Sequence, residues 1–231
     1  GMPTLAKFIE MPPPIVLDRL PATLYLASAT LLLAVPLSIV LGIVSAIRPG
    51  SIVDRIVTVI SLGGVSTADF WLGLMLILLF AVRLGWLPTS GTGGFSYWVM
   101  PITVLALRPF GLLVQVVRAS MLGALSSAYV KTARAKGIRE RSVIFVHALR
   151  NACLPIVTVA GDLTVGLING AVIVETVFGW PGVGKLMIDS VIQRDFPLVQ
   201  ASIMVTATAI FLLNIAIDLI YVALDPRIRY R

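Results

Sequence analysis

Apolar residues run along this chain in long unbroken blocks. Five of them cover about 22–47, 56–82, 99–117, 152–175 and 198–224. Each is long enough for a helix to cross the hydrocarbon core of a bilayer, which takes roughly 17–25 residues. The strict apolar–polar alternation of a membrane barrel is missing, so the pattern predicts helices. Pro36, Gly63, Gly64, Pro109 and Pro155 fall inside the blocks. They do not veto membrane helices, because neighbouring helices satisfy the freed backbone groups. Between blocks, "GWLPTSGTGGFSYW" (85–98) reads as a glycine-rich loop with interfacial tryptophans at both ends. In 176–197, Pro181, Gly182 and Gly184 mark a turn and "KLMIDSVIQ" a short amphipathic helix. Gly166 and Gly170 have the small-xxx-small spacing that permits close helix packing.

Composition agrees with this pattern. The chain has 231 residues, 58% hydrophobic and 13% charged, against roughly 45–50% and 25% in soluble domains. An all-α integral membrane protein of about five spans is the class implied. The net charge of +7 does not require nucleic acid, because its distribution follows the positive-inside rule. Segments 48–55, 118–151 and 225–231 hold 2, 7 and 3 Lys or Arg; segments 1–21, 83–98 and 176–197 hold 2, 1 and 2. The first set is therefore expected on the cytoplasmic side. That leaves 1–21, with its "EMPPPIVLDRLP", as a short extended or amphipathic external segment, 22–224 as the membrane domain and 225–231 as a cytoplasmic tail. No signal-peptide pattern precedes residue 22, so this orientation raises the expectation of a preceding helix. The single cysteine, Cys153, excludes an intramolecular disulfide and is expected to be an inert buried thiol. One His and one Cys give no metal site of the usual kind.

The stretch "AYVKTARAKGIRERSVIFVHALRNACLP" (128–155) breaks the apolar pattern with six Lys or Arg, one acid and the only histidine. Ser126 and Ser127 are N-cap residue types, and Gly137 can end a first short helix in the left-handed conformation. "RERSVIFVHALRN" can form a second. Tyr129, Ala133 and Lys136 or Gly137 would share a face of the first helix; Val143, Phe145, Val146 and Leu149 would give the second an apolar side. Two short helices across the cytoplasmic surface would result. An ordinary basic loop and a docking element for a cytoplasmic partner both satisfy this pattern.

The same stretch resembles the cytoplasmic loop of permease subunits of bacterial ATP-binding-cassette importers. Of that family's Glu-Ala-Ala-x-x-x-Gly signature only Ala133 and Gly137 are present, and Arg150 stands where proline is common. The dipeptide, oligopeptide and nickel branch is matched more closely by "YVKTARAKG", "HALRN" and "LP". "LPATLYLA" (20–27), "FWLGLMLILLFAVRLGWLPTSG" (70–91), "RASML", "VIVETVFGWPGVGKLM", "RDFPLVQA" and "NIAIDLIYVALDPRIRY" also resemble family segments, in order. The resemblance covers 20–230 and implies the type I permease fold of these importers, with a cytoplasmic coupling helix in the loop 123–151. Lys131, Thr132, Ala133, Arg134, Ala135, Lys136 and Gly137 would form its core, flanked by Arg139, Arg141, His147 and Arg150, and would engage an ATPase. The implied partners are a second homologous permease, two ATP-binding subunits, an external solute-binding protein and the bilayer of the inner membrane. The chain itself would hold no cofactor and do no catalysis, with ATP and Mg bound by partner subunits. The family usually has six helices, and the match begins after its first one, so the expectation is either a fragment or a shorter gene product. The solute stays open among peptides, nickel complexes, sugars and opines.

Charges inside the spans are the remaining candidates. Asp69 and Arg108 lie near mid-membrane on consecutive spans, where a lone charge costs about 2.5–3.5 kcal/mol on insertion scales. A structural ion pair, a path-lining pair and an outward-snorkelling Arg108 are the competing readings. Asp162 is a third path candidate; Asp218 matches the family and reads as structural. The resemblance also places Glu175, Phe178, Trp180, Pro181 and Gly182 at an outer gate. An ion-gradient transporter using Asp69, Asp162 and Asp218 is the alternative function, without an internal repeat to support it. A membrane enzyme has no catalytic cluster to stand on. The chain carries no GxxxxGK[ST] phosphate loop.

Overall fold

The computed structural model describes residues 13–224, with side chains from Ile15 to Leu219. Residues 1–12 of the expected external segment 1–21, and the tail 225–231, lie outside the described residues. Helices are α1 (Pro13–Ile47), α2 (Ile52–Ser66), α3 (Asp69–Leu76, continued by a π-helical segment Ile77–Arg83), α4 (Ser96–Ser126), α5 (Ala128–Ala135), α6 (Glu140–Ser142, continued by a π-helical segment Val143–Ala148), α7 (Leu149–Phe178), α8 (Val183–Gln193) and α9 (Phe196–Leu224). The first helix begins at Pro13, earlier than the apolar run implied. Proline suits a helix start because its missing N–H is one that no carbonyl would have accepted there.

Four continuous stretches are long and apolar enough to cross a membrane: Ile15–Ile47, Ser96–Ser126, Glu140–Phe178 and Phe196–Leu219. The fifth expected span is not one straight helix. Ile52–Ser66 and Asp69–Arg83 pass the test only together and are bent by 107° at their break. "GGVSTAD" (63–69) explains the location: two glycines, a serine and a threonine weaken the helix, and Ala68 is extended with φ −75° and ψ 130°.

The packing divides the chain into two units. Unit one holds the described residues up to Leu31, Thr67–Ala106 and Thr164–Ile217. Its core joins Leu26 and Ala27 of α1, Met100, Val104 and Leu105 of α4, Leu167, Ala171, Val174 and Phe178 of α7, and Trp180. The α7 positions recur at the three-and-four spacing that lines one helix face. Gly170 rests against Leu105, at ordinary contact distance, whereas Gly166 faces open space. Only one residue of the expected small-xxx-small pair therefore packs within the chain. Trp98, expected at an interface, stacks edge-on against Trp180 at 4.6 Å.

Unit two holds Leu32–Ser66, Leu107–Leu163 and the residues from Asp218. Its core joins Ile43 and Ala46 of α1, Val117 and Met121 of α4, and Ile144, Ala148, Ala152 and Ile156. In a bilayer, helices gain little from leaving lipid, so association depends on close packing. Two glycines supply it between α2 and α4. A side chain at Gly64 would meet the Leu107 carbonyl at 2.9 Å, and one at Gly111 would collide with the Ser61 carbonyl. Cys153 is exposed on α7, against the expectation of a buried thiol. The reason is that membrane spans turn apolar surface to lipid, so an apolar neighbourhood does not mean burial within the chain.

Candidate functional site

The basic segment folds as one small module of unit two. Ser127 is the N-cap of α5, with φ −69° and ψ 156°. Its hydroxyl bonds back to the Ala124 carbonyl at 2.5 Å instead of capping. At the other end Gly137 takes φ +75°. Its N–H meets the Arg134 carbonyl at 2.9 Å, and the Ile138 N–H meets the Ala133 carbonyl at 3.3 Å. That pair of bonds is the Schellman helix stop, and Ile138 supplies its usual apolar contact by packing on Val130, Ala133 and Val143. Arg134 and Glu140 then bridge the turn through two contacts, at 3.2 and 2.5 Å. Both side chains are about half exposed, so the pair fixes geometry more than it stabilises.

The inner face of α5 is therefore Val130 and Ala133, three residues apart; of the residues expected to share a face, Ala133 is buried and Tyr129 exposed. Tyr129, Lys131, Thr132, Arg134, Ala135, Lys136 and Gly137 are exposed. Arg139, Arg141 and Arg150 are exposed as well, and His147 is half-buried. Of the expected contact residues, Ala133 alone is buried. The second expected helix is not separate: Glu140–Phe178 is one continuous 39-residue run. The wider turn of its π-helical part shifts the register of side chains. Val143 is buried, while Phe145 and Val146 are exposed.

A second polar cluster of unit two was missed. Arg118 meets Asp54 through two contacts, Nε–Oδ1 at 2.6 Å and Nη2–Oδ2 at 2.9 Å. Ser45 donates to the same carboxylate at 2.5 Å, and the Gly50 N–H at 2.8 Å. Asp54 is buried, so the full set of donors is what makes its charge tolerable. The signal was "SIVD" (51–54), the [ST]-x-x-[DE] helix-start pattern; the Asp54 N–H does bond the Ser51 hydroxyl at 3.2 Å.

In unit one the expected gate residues converge on a buried carboxylate. Glu175, near the end of α7, is fully buried. Thr23 donates to Oε1 at 2.6 Å, and the Lys185 N–H donates to Oε2 at 3.1 Å. The Thr23 oxygen accepts the Val183 N–H at 3.0 Å. The first turn of α8 has orphan N–H groups like any helix, and its N-cap Gly182 has no side chain to meet them. Glu175 and Thr23 do that from two other helices. A side chain at Gly182 would strike the Glu175 carboxylate, and one at Gly184 would come within 2.5 Å of the Val172 Cα. The Trp180 N–H bonds the Glu175 carbonyl at 2.8 Å, and its indole N–H bonds the Ala22 carbonyl at 3.0 Å. Phe178 and Trp180 are buried, and Pro181 is half-buried.

Asp69 opens α3 and is half-buried, at a helix start that favours an acid. Arg108 is exposed on α4, and Asp162 and Asp218 are exposed on α7 and α9.

Residues 38–230 match the model of the binding-protein-dependent transport system inner membrane component. The chain is 39% identical over 226 residues to the oligopeptide transport system permease protein AppB of Bacillus subtilis, covering 94% of this chain and 72% of that protein. It is 40% identical over 243 residues to the di/tripeptide transport system permease protein DppB of Pseudomonas aeruginosa, covering 93% and 72%. In fold it resembles the MetNI methionine ABC transporter in an inward-facing conformation, with TM-score 0.75 and 16% identity over 91% of this chain and 96% of that one. An amino acid ABC transporter follows at TM-score 0.67 and 17% identity over 98% and 99%. With four continuous spans, one bent pair and a family model matched along most of its length, this chain belongs to the inner membrane components of binding-protein-dependent transport systems.

Proposed function

We propose that the chain is the permease subunit of an ATP-driven importer for a peptide or a related small solute. In this reading it pairs with a second homologous permease, docks two ATP-binding subunits and receives solute from an external binding protein. The basic module and the C-terminus face the cytoplasm, as the charge distribution favours. ATP and Mg belong to the partner subunits. The observation that carries the reading is the module 128–150. Exposed Lys131, Thr132, Arg134 and Lys136 stand on a buried support of Val130, Ala133 and Val143, closed by the turn at Gly137. A solid element with a basic outer face suits docking better than a loose loop does. The peptide class comes from the relatives named above. Family membership and the module together favour this reading over an ion-gradient transporter.

Arg108 and Asp162 fit the same reading. Each is exposed on an apolar span of the isolated chain. A charge turned to hydrocarbon is costly, so each is assigned a watery path or a partner subunit. The test is co-expression with the neighbouring transport genes and purification in detergent. An ATPase that co-purifies with the wild-type chain, and is lost on Lys131→Glu with Lys136→Glu while the chain stays folded, supports the reading. A folded chain that retains the ATPase through that change overturns the docking role of the module.

A further inference from the structure

Unit one holds a partly open cavity of about 260 Å³ between α1, α7, α8 and α9. That lies between a benzene-sized hole of about 150 Å³ and the roughly 300 Å³ at which drug-sized pockets begin. It has room for a fragment, not for a whole oligopeptide. The walls are mainly apolar, with Leu24, Ile168, Val172, Met187, Ile203 and Ile210 among them. Three hydrogen-bonding side chains reach the lining: Thr23, Asn169 and Thr206.

The three differ in what they already hold. Thr23 is fully used, donating to Glu175 and accepting from Val183. Elsewhere in the long helices, threonine hydroxyls turn back to the carbonyl four residues earlier. Thr30, Thr103, Thr176 and Thr208 all do so, at 2.7–2.8 Å. Thr206 does not, and neither its hydroxyl nor the Asn169 amide has a hydrogen bond among the described residues. Asn169 is exposed and Thr206 half-exposed. On apolar spans such groups require a polar partner. An acyl chain would fill the apolar walls and leave both unsatisfied. A fragment with an apolar side chain beside an amide meets all three conditions: volume, walls and free polar groups. An asparagine side chain offers both an acceptor and donors, the complement of a peptide group.

We propose that this cavity is a subsite for one apolar residue of a peptide-like solute, with Asn169 and Thr206 binding the adjoining amide. The assignment deepens the permease reading and rests on it for the solute class. It also predicts a selectivity among solutes that the permease itself exerts.

The test uses the assembled importer in lipid nanodiscs, with Cys153→Ser and Ala207→Cys placing one thiol in the lining. Labelling by a maleimide is timed in the presence of N-acetyl-leucinamide, N-acetyl-glycinamide or decane. Ala209→Cys serves as a second reporter in case the first folds poorly. Protection by the leucine compound is expected, about tenfold stronger than by the glycine compound, as burial of an aliphatic side chain implies. Asn169→Leu and Thr206→Val should each weaken it severalfold. Equal protection by both amides, or by none, overturns the subsite. So does protection by decane that ignores Asn169→Leu, the mark of a lipid-filled crevice. The ATPase is quantified in the same preparation. An importer with bound ATPase and no amide protection removes the subsite alone; a chain without ATPase puts the permease reading at fault.

Discussion

The Thr23 hydroxyl donates to Glu175 at 2.6 Å across 152 positions of sequence, and the same oxygen accepts the first N–H of α8. One small side chain thus serves a buried acid and a helix start together. Thr23→Val keeps the shape and removes both bonds. The expected cost is about 1–3 kcal/mol, the usual penalty for buried groups left unpaired. Thr23→Ser should recover most of it. Thermal unfolding of the assembled complex in detergent checks the order wild type, Ser, Val.

Gly182 and Gly184 respond differently to a methyl group. The nearest obstacles at Gly182 are all atoms of the Glu175 carboxylate, whereas at Gly184 the Val172 Cα, at 2.5 Å, is nearer than the Glu175 Oε2, at 2.9 Å. Gly182→Ala should therefore be partly rescued by Glu175→Ala, and Gly184→Ala should not. Yields of folded protein from the three single and two double variants read the coupling directly. Equal rescue at both positions would refute the assignment of the clashes.

The Asp54–Arg118 pair predicts another non-additive set. Arg118→Leu strands a buried carboxylate and should cost about 2–3 kcal/mol. The double change Asp54→Leu with Arg118→Leu strands neither charge and should cost clearly less than the two single changes summed. Thermal unfolding of all three variants decides it.

At Gly137 the penalty comes from the backbone alone. An added side chain meets nothing within 4 Å, but φ is +75°. Gly137→Ala should cost about 1–2 kcal/mol and Gly137→Asn less, because asparagine tolerates the left-handed region. Protease cleavage between α5 and α6, timed on the folded chain, should be fastest in the alanine variant.

What could be read from sequence follows from how local the cause is. Four of the five spans, the turn at Gly137 and the short helix α8 depend on runs of neighbouring residues, and all appear. The bend between α2 and α3 is invisible to hydropathy, because apolar residues continue on both sides of Thr67 and Ala68. That Val130 and Ala133 form the buried side of α5 was not legible locally, because they are covered by Ile138 and Val143 from beyond the turn. Glu175 was singled out only through resemblance. Its task depends on Thr23 and Lys185 arriving from distant positions, and spacing along the chain cannot report that. Asp54 was within reach: "SIVD" carries a recognised helix-start signature that the apolar context masked.

The inward placement of Ala133 separates two properties of the module that a docking element would ordinarily entangle. Its shape is written by Val130, Ala133, Ile138 and Val143. Its outer lettering is Lys131, Thr132 and Lys136, none of which belongs to that buried set. Lineages of such chains are therefore free to rewrite the lettering while the shape persists. Under the proposed docking role, exchanging the three outer residues would redirect the permease to a foreign motor subunit without re-solving its fold.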